Sequence, residues 1–440
     1  MNQPRLYRRH VLTGAVGLGI GAVFGCQPKA GPAATEEVVS VDRIDVPLRI
    51  VIVGMAGQED SEAIRRAWSA VTEQPLAIES VSLDRADLKG LSRQVRERAK
   101  KSDLVIYPLS LVADLVAAEV IVPLTQSEFG DLEKESGALF PALRNGAAQY
   151  GGEYYSLPLG AAQPALLSQA VQAEPHSKDQ SMSWQDYDAA VEAWEGVASE
   201  PAVPGWAGAM FLWRTSEIQS WLFSRETLVP TVTAKPYVDA LELMVRTNRR
   251  YNEGPMAPDQ IWQAVADGKL KGGIGFPVLR NGTSDEIQVD DLPGGGSLSR
   301  VLLDPFSTVL SISANCRQSK AAKRFANWIG GEAAGDTMRN GVSGITVVRD
   351  MRGPNGTTNP SPYEQWLAGR LKTPVIVPNL QILKGGDYYE VLDQQVTRAI
   401  EGEVSSKEAL TQVAESWLAL NEDVGVDKQR RAWQRAQGMS

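Results

Sequence analysis

LRIVIVGM, residues 48–55, is a near-continuous apolar run that ends at a glycine. Such a run reads as a strand buried on both faces, the signature of a parallel sheet covered by helices. The downstream sequence fits that reading. From Glu59 to Val71, Ile64, Ala67, Trp68 and Val71 fall at helical spacing. Leu76 to Leu83 alternates as a second strand. Asp87 to Lys101 carries Leu88, Leu91, Val95 and Ala99 on one face, and Leu104 to Tyr107 (LVIY) is a third buried strand. The order βαβαβ predicts an α/β sheet with right-handed crossovers. After Tyr154–Gly160 the pattern becomes mainly helical. Ser183 caps WQDYDAAVEAW, and Pro236 and Pro258 each open a helix, a position that suits proline. GGIGF and TVLSIS, the latter Thr308 to Ser313, read as strands. Ser319 to Ile329 reads as a helix, and the last hundred residues as mostly helical.

Upstream of the strand lies a different kind of sequence. Arg5, Arg8 and Arg9 precede an apolar, glycine-rich run from Val11 to Phe24. The run is shorter than the roughly 20 residues a membrane-spanning helix needs. It reads as the h-region of an export signal. Its end, Val23-Phe24-Gly25-Cys26, resembles a bacterial lipobox. That resemblance implies acylation of Cys26 and a signal peptide over residues 1–26. The Arg8-Arg9 pair also resembles a twin-arginine signal, with departures at Tyr7 and His10, so the export route stays open. Residues 27–45 are rich in Pro, Ala, Gly and acidic side chains and are expected to form a flexible tether.

Composition excludes several classes. The chain has 440 residues, 43% hydrophobic and 22% charged, with a net charge of −9. About 395 residues after the tether exceed a single core, so two lobes are expected. Basic residues form no stripe, which argues against nucleic acid as a partner. There are two cysteines and two histidines. With Cys26 acylated, Cys316 has no disulfide partner, and it is expected to be a small buried residue. His10 lies in the signal and His176 in a polar loop, which leaves no His-rich zinc site and one candidate base for a Ser-His-Asp triad. No phosphate loop or dinucleotide fingerprint is present. Neither a cofactor nor a metal is expected.

Four stretches carry a family resemblance. DLVIYPLSLVADLVAAEVIVPL, EYYSLPLGAAQPALL, IWQAVADGKLKGGIGFP and YYEVLDQQVTRAIEGEVSSKEALTQVAESW resemble, in that order, segments of the extracellular solute-binding proteins of ABC importers, in the sugar-binding branch related to maltose-binding protein. The resemblance spans roughly residues 48–420. It implies an α/β, two-lobed periplasmic-binding-protein fold (type II-like), each lobe a sheet flanked by helices, with the ligand cleft at the hinge. One lobe would comprise residues 46–158 and 301–346, the other 159–300 and 347–440. It also implies a monomer that is not an enzyme. Such a protein sits outside the cytoplasm, held to the membrane by its lipid, and passes a small solute, a sugar or oligosaccharide, to an ABC permease. The stretch Ala165–Gln169 lacks the tyrosine and asparagine common there. Phe306, Ser307 and Thr308 stand where glycines are common.

Strand ends in α/β sheets deliver side chains to the cleft. Tyr107 ends LVIY and Ser110 follows it, Gln163 follows the first crossing, Phe276 ends GGIGF, and Ser343 lies in the turn NGVSG. Sugars need aromatic faces and hydrogen-bonding groups. Trp213 sits between an apolar and a polar stretch and is the aromatic expected to stack on a ring, with helix packing as the alternative for it and for Trp221. Arg214 is expected to pair with Glu217, three residues on. Two other functions stand beside solute binding: a secreted glycosidase with two cleft carboxylates, and a structural lipoprotein on the same fold.

Overall fold

The computed structural model describes residues 45–54, 58–169, 182–218, 222–278, 286–294, 300–349, 360–374, 376–377 and 379–439, all within one contact unit, Asp42–Ser440. Cys26, His176 and Trp221 lie outside the described residues.

The run at 48–55 is the strand β1 (Leu48–Val53). It pairs in parallel with β2 (Leu76–Val81) and β3 (Leu104–Pro108). Helices Gln58–Ser69 and Leu91–Ala99 make the crossovers. Ile64 and Trp68 bury the first helix against the sheet side, and the Trp68 ring meets Phe325 and Trp328 edge-on at 5.2 and 5.0 Å. The second helix starts later than the expected Asp87. Asp84 and Asp87 each bond the backbone N–H two residues on, and Gly90 takes a positive φ of 73°. Such local side-chain bonds compete with a helix. The result is a rigid turn that carries Arg85.

Three short strands follow: β4 (Ile121–Val122), and β5 (Gln149–Tyr150) and β6 (Glu153–Tyr154) in a small ribbon. Then β7 (Leu157–Gly160) leads over to β8 (Ala165–Gln169). With β9 (Ala198–Ser199), β10 (Gly272–Gly275) and β11 (Ile287–Asp290), β8 forms a second sheet in the order β11-β8-β10-β9. The chain returns through β12 (Thr308–Ser313), which joins the first sheet antiparallel to β3, β4 and β7. The first sheet therefore reads β2-β1-β3-β12-β4, with β7 also on β12. The model is thus α/β with two sheets, each flanked by helices.

The crossings are held together locally. Thr346 N–H donates to Leu159 O at 3.2 Å, and Ala161 N–H donates to Thr346 Oγ1 at 3.0 Å. A Cβ on Gly160 would stand 1.6 Å from Gly344 O, so the close approach of these two crossings requires glycine. The helices at the C-terminal end close the structure. Gly385–Ile400 packs on Ala207–Thr215 and on Ser406–Val424, while Val426–Ala436 reaches the ribbon, where Gly151 N–H donates to Arg435 O at 2.9 Å. Four helices, starting after Thr125, Ser183, Ser361 and Ser405, carry complete capping boxes. Each cap is worth about 1 kcal/mol.

Two expectations need correction. Cys316 is half-buried rather than fully buried, because it follows the end of β12 beside Arg49 and Asp103. Arg214 does not pair with Glu217. Its guanidinium meets Glu200 at 2.6 Å with both side chains almost fully buried, and lies 4.3 Å from the Trp184 ring centroid. The helix turns Arg214 inward, where only a buried carboxylate can neutralise it.

Candidate functional site

The end of β3 turns at Pro108 into a short 3-10 turn, Leu109–Leu111, and then the helix Val112–Ala117. The returning segment 304–307 lies along this turn. Leu109 N–H donates to Ser307 O at 2.9 Å and Ser110 N–H to Pro305 O at 2.8 Å. Across from it stands the start of helix Gly385–Ile400. A Cβ on Gly385 would come within 3.0 Å of Ser110 O and 2.2 Å of Leu380 O. The turn after β3 and the start of this helix therefore meet backbone to backbone.

Beside this contact lies a groove of about 400 Å³. One wall is helix Leu91–Ala99 with Ser110 and Asp114. The other is Leu383–Asp387 with Asp423 and Lys428. Leu88, Leu91, Leu111 and Phe306 make its apolar surface, and Arg93, Arg96 and Lys428 also line it. Asp114 is its most informative member. Oδ1 accepts from Lys384 N–H at 3.1 Å. Oδ2 is buried and no described residue bonds it with good geometry, the Ser92 hydroxyl being the one side-chain donor close enough to lower the carboxyl's pKa. Burial pushes this carboxyl above the usual carboxylate range, against the Lys384 N–H, the nearby Ser92 hydroxyl and the charges of Arg96 and Lys384. Asp387 is pushed up as well, first by burial. Lys384 is committed to Asp423 by an ion pair. A buried acceptor without a donor is costly. A hydroxyl-bearing molecule in the groove would supply that donor, and the leucines and Phe306 would cover its C–H surface.

On the other side of Phe306, the turn after β2, the segment at Gly205–Trp206 and the segment at Asp304–Phe306 meet in a packed seam. Arg85, from the turn after β2, lies with its guanidinium 3.5 Å from the Trp206 ring centroid and 4.1 Å from that of Phe306. It forks onto Asp304 at 2.9 and 3.1 Å, and its Nε donates to Gly205 O at 2.9 Å. Tyr389 Oη donates to the same oxygen at 2.8 Å. Burial lowers the Arg85 pKa, but the charge and hydrogen bonds of Asp304 together with Tyr389 outweigh it, and the guanidinium stays charged. Below, the Asp393 carboxylate accepts from Gly205 N–H at 2.6 Å and Gly208 N–H at 2.9 Å at the start of helix Ala207–Thr215. An anion at a helix N-terminus is favourable, yet burial still raises the Asp393 pKa.

The residues expected at the cleft fall at different depths. Ser110 lines the groove. Tyr107 is fully buried beneath it, its hydroxyl 2.8 Å from Ser311 Oγ, and burial drives its pKa up. Trp213 is 3% exposed and meets Phe276 edge-on at 6.5 Å, while Phe276 also meets Trp206 at 5.6 Å. Gln163 is clamped in the first crossing: its N–H lies 3.0 Å from Tyr363 Oη, which donates to its carbonyl at 2.8 Å. Ser343 N–H donates to Asp60 Oδ1 at 3.1 Å. Only Ser110 of the six reaches the groove. Asp114, Lys384 and Asp387 in the groove, and Arg85 in the seam beside it, were not expected. Arg85 follows the end of β2 as Ser110 follows the end of β3, so the same rule could have found it.

No protein-family model matches the sequence, and no curated protein sequence matches it. Solved structures do. An ABC-transporter solute-binding protein from Agrobacterium radiobacter K84, in complex with ribitol, superposes with a TM-score of 0.68 at 12% identity, covering 85% of this chain and 98% of that one. This is the fold of the ABC-transporter solute-binding proteins. The solute-binding protein of Agrobacterium vitis S4 with bound D-mannitol gives 0.64 at 14% identity, over 86% of this chain and 99% of that one. The maltose-bound MalE3 of T. maritima gives 0.65 at 15%, over 85% and 100%. The solute-binding-protein fold accounts for both sheets. Among the described residues no group of acidic, His or Cys side chains is placed to hold a metal, and no helix is long and apolar enough to cross a membrane.

Proposed function

We propose that this protein is a lipid-anchored, extracytoplasmic substrate-binding protein. It captures a small polyhydroxylated solute, a sugar, sugar alcohol or oligosaccharide, between its lobes and delivers it unchanged to an ABC permease. The observation that carries this reading is the groove at the junction of the lobes, with the buried Asp114 acceptor and apolar walls, on a fold whose solved examples hold ribitol, mannitol and maltose. Ligand that touches both walls favours the arrangement in which they are close, a population shift. Acylation of Cys26 would hold the protein near the permease and raise its local concentration.

A thermal-shift screen of sugars, sugar alcohols and oligosaccharides tests the binding. A ligand at a hundred times its Kd stabilises the native state by about 2.7 kcal/mol. The expected result is a raised melting temperature with one class of these solutes and no chemical change in the recovered ligand. Release of hydrolysed product would overturn the transport reading in favour of an enzyme. Labelled fatty acid should enter the wild-type chain and not the Cys26→Ser chain, and equal labelling would remove the anchor.

A further inference from the structure

The charges that line the groove are nearly balanced in number but not in placement. Arg93, Arg96, Lys384 and Lys428 stand against Asp114, Asp387 and Asp423. Arg93 and Lys428 are exposed, where water and salt screen them. Lys384 is paired with the exposed Asp423. Arg96 is half-buried, and its Nε is turned back to Ser92 O of its own helix at 3.3 Å. Two carboxyls are left without an ion pair, and both are at least half-buried: Asp114 and Asp387. Behind them lies a third, Glu390, whose oxygens accept from Leu88 N–H at 3.2 Å and Gln394 Nε2 at 3.0 Å, so no cation neutralises it either.

Asp114 and Asp387 come from opposite walls, and the reason Asp387 is unpartnered is local. It is the third residue of helix Gly385–Ile400, whose N-cap is Lys384. An acidic side chain at that place can reach back to the N-cap N–H and complete a cap, as Asp186 does after Ser183 in this same chain. Here the N-cap N–H is already given to Asp114 Oδ1, at 3.1 Å. The Asp387 carboxylate therefore has no cap to make, and no described residue bonds it. The same bond holds Asp114 against this wall, with Oδ2 towards the groove. Two carboxylates that share a partly buried site repel one another, and a cation between them removes that cost. Each raises the other's resistance to ionisation in the empty groove, Asp387 through the charges of Asp114, Glu390 and Asp423 added to its burial.

We propose that the solute this groove takes carries an amine, as an amino sugar or amino sugar alcohol does, and that its ammonium sits between Asp114 and Asp387. The inference rests on the reading of the groove as the solute site and adds a charge to that solute. An ammonium has three donors and no acceptor, so it can serve both carboxylates at once. A neutral hydroxyl can donate to Asp114 Oδ2 but leaves the two like charges facing each other. Hydrogen bonds between charged partners are also about twice as strong as neutral ones. The carbon chain of the solute would lie on Leu88, Leu91 and Phe306, and its hydroxyls would face Ser92 and Ser110.

The test is calorimetric titration of the full chain at pH 6.5 with two sets of probes. Sorbitol, 1-amino-1-deoxysorbitol and gluconate share one carbon chain, and glucose, glucosamine and glucuronate share one ring. Within each set only the charge at one position differs. The aminated member should bind about ten- to a hundredfold tighter than the neutral one, with the acid weakest. Asp387→Asn should bring the ratio of the aminated to the neutral affinity close to one while leaving the neutral affinity nearly where it is. Asp114→Asn should weaken both members and the aminated one more, which gives the same reading if the first variant does not fold. Asp239→Asn, in an exposed pair elsewhere, should keep the ratio. Neutral probes that bind as tightly as the amines, acids that bind tightest, or a ratio kept in Asp387→Asn would overturn the inference and leave sugar capture standing. Binding of none of the six would overturn both.

Discussion

Phe306 separates two ways of joining distant parts of the chain. On one side, Arg85 fills the space between Trp206 and Phe306 and is neutralised by Asp304. On the other, Asp114 faces a groove with an oxygen that no described residue satisfies. The seam is complete within the chain. The groove is completed only by something added to it. A stability determinant satisfies its own polar groups, whereas a binding site leaves some of that satisfaction to the ligand.

The largest effect should come from breaking the seam. Arg85→Ala leaves Asp304 buried without its partner, a change that typically costs about 3–5 kcal/mol. Urea unfolding of the variant measures it. A loss below about 1 kcal/mol would mean that the seam behaves like an exposed ion pair and that the contrast with the groove is false.

Asp114→Asn sharpens the other side. It should weaken a polyhydroxylated ligand about ten- to a hundredfold, the range for a hydrogen bond to a charged group, with little cost to the empty protein. Calorimetric titration paired with unfolding of the same variant separates the two quantities. Lost stability with kept affinity would make Asp114 a structural residue. The pH dependence follows from the raised pKa. The folded groove holds a proton to higher pH than the unfolded chain, whose carboxyls titrate at about 4. Stability contributed by this group therefore falls as pH rises from there through the folded value. Asp114→Asn should flatten that decline in unfolding curves collected across the acidic range. An unchanged slope would place the proton elsewhere, with Asp387 the next group to replace.

The smallest effect should be at the groove's outer edge. Lys384 and Asp423 form an exposed pair, and such pairs contribute little. Lys384→Ala should leave the melting temperature nearly where it is. A clear drop would show that its backbone position, at φ 58° before helix Gly385–Ile400, depends on the side chain.

Much of the fold was legible because its signals are local. LRIVIV and LVIY are short runs rich in β-branched residues, which suit strands buried on both faces, and the Ser183 cap marks its helix by spacing alone. The site was much less legible. Ser110 was found by the strand-end rule and does reach the groove. Trp213 illustrates the opposite case. Its neighbours along the chain include Arg214 and Thr215, which suggest a wet boundary, but Arg214 turns inward to Glu200 and the tryptophan is buried with it.

By itself, the sequence determined the strands β1, β2, β3, β10 and β12 and several helices, that the chain is too long for one core, and that no cofactor motif is present. Those properties depend on periodicity and composition within a few residues. Only the tertiary structure decided which charges meet. Arg85 and Asp304 are 219 positions apart, and Lys384 and Asp114 are 270 apart. Side chains so distant become partners because the crossings bring the lobes together, and no local pattern records that geometry. The fold also tells one carboxylate from another: Asp304 and Asp114 are both Asp in the sequence, and only their surroundings pair the first with Arg85 and leave an oxygen of the second facing the groove.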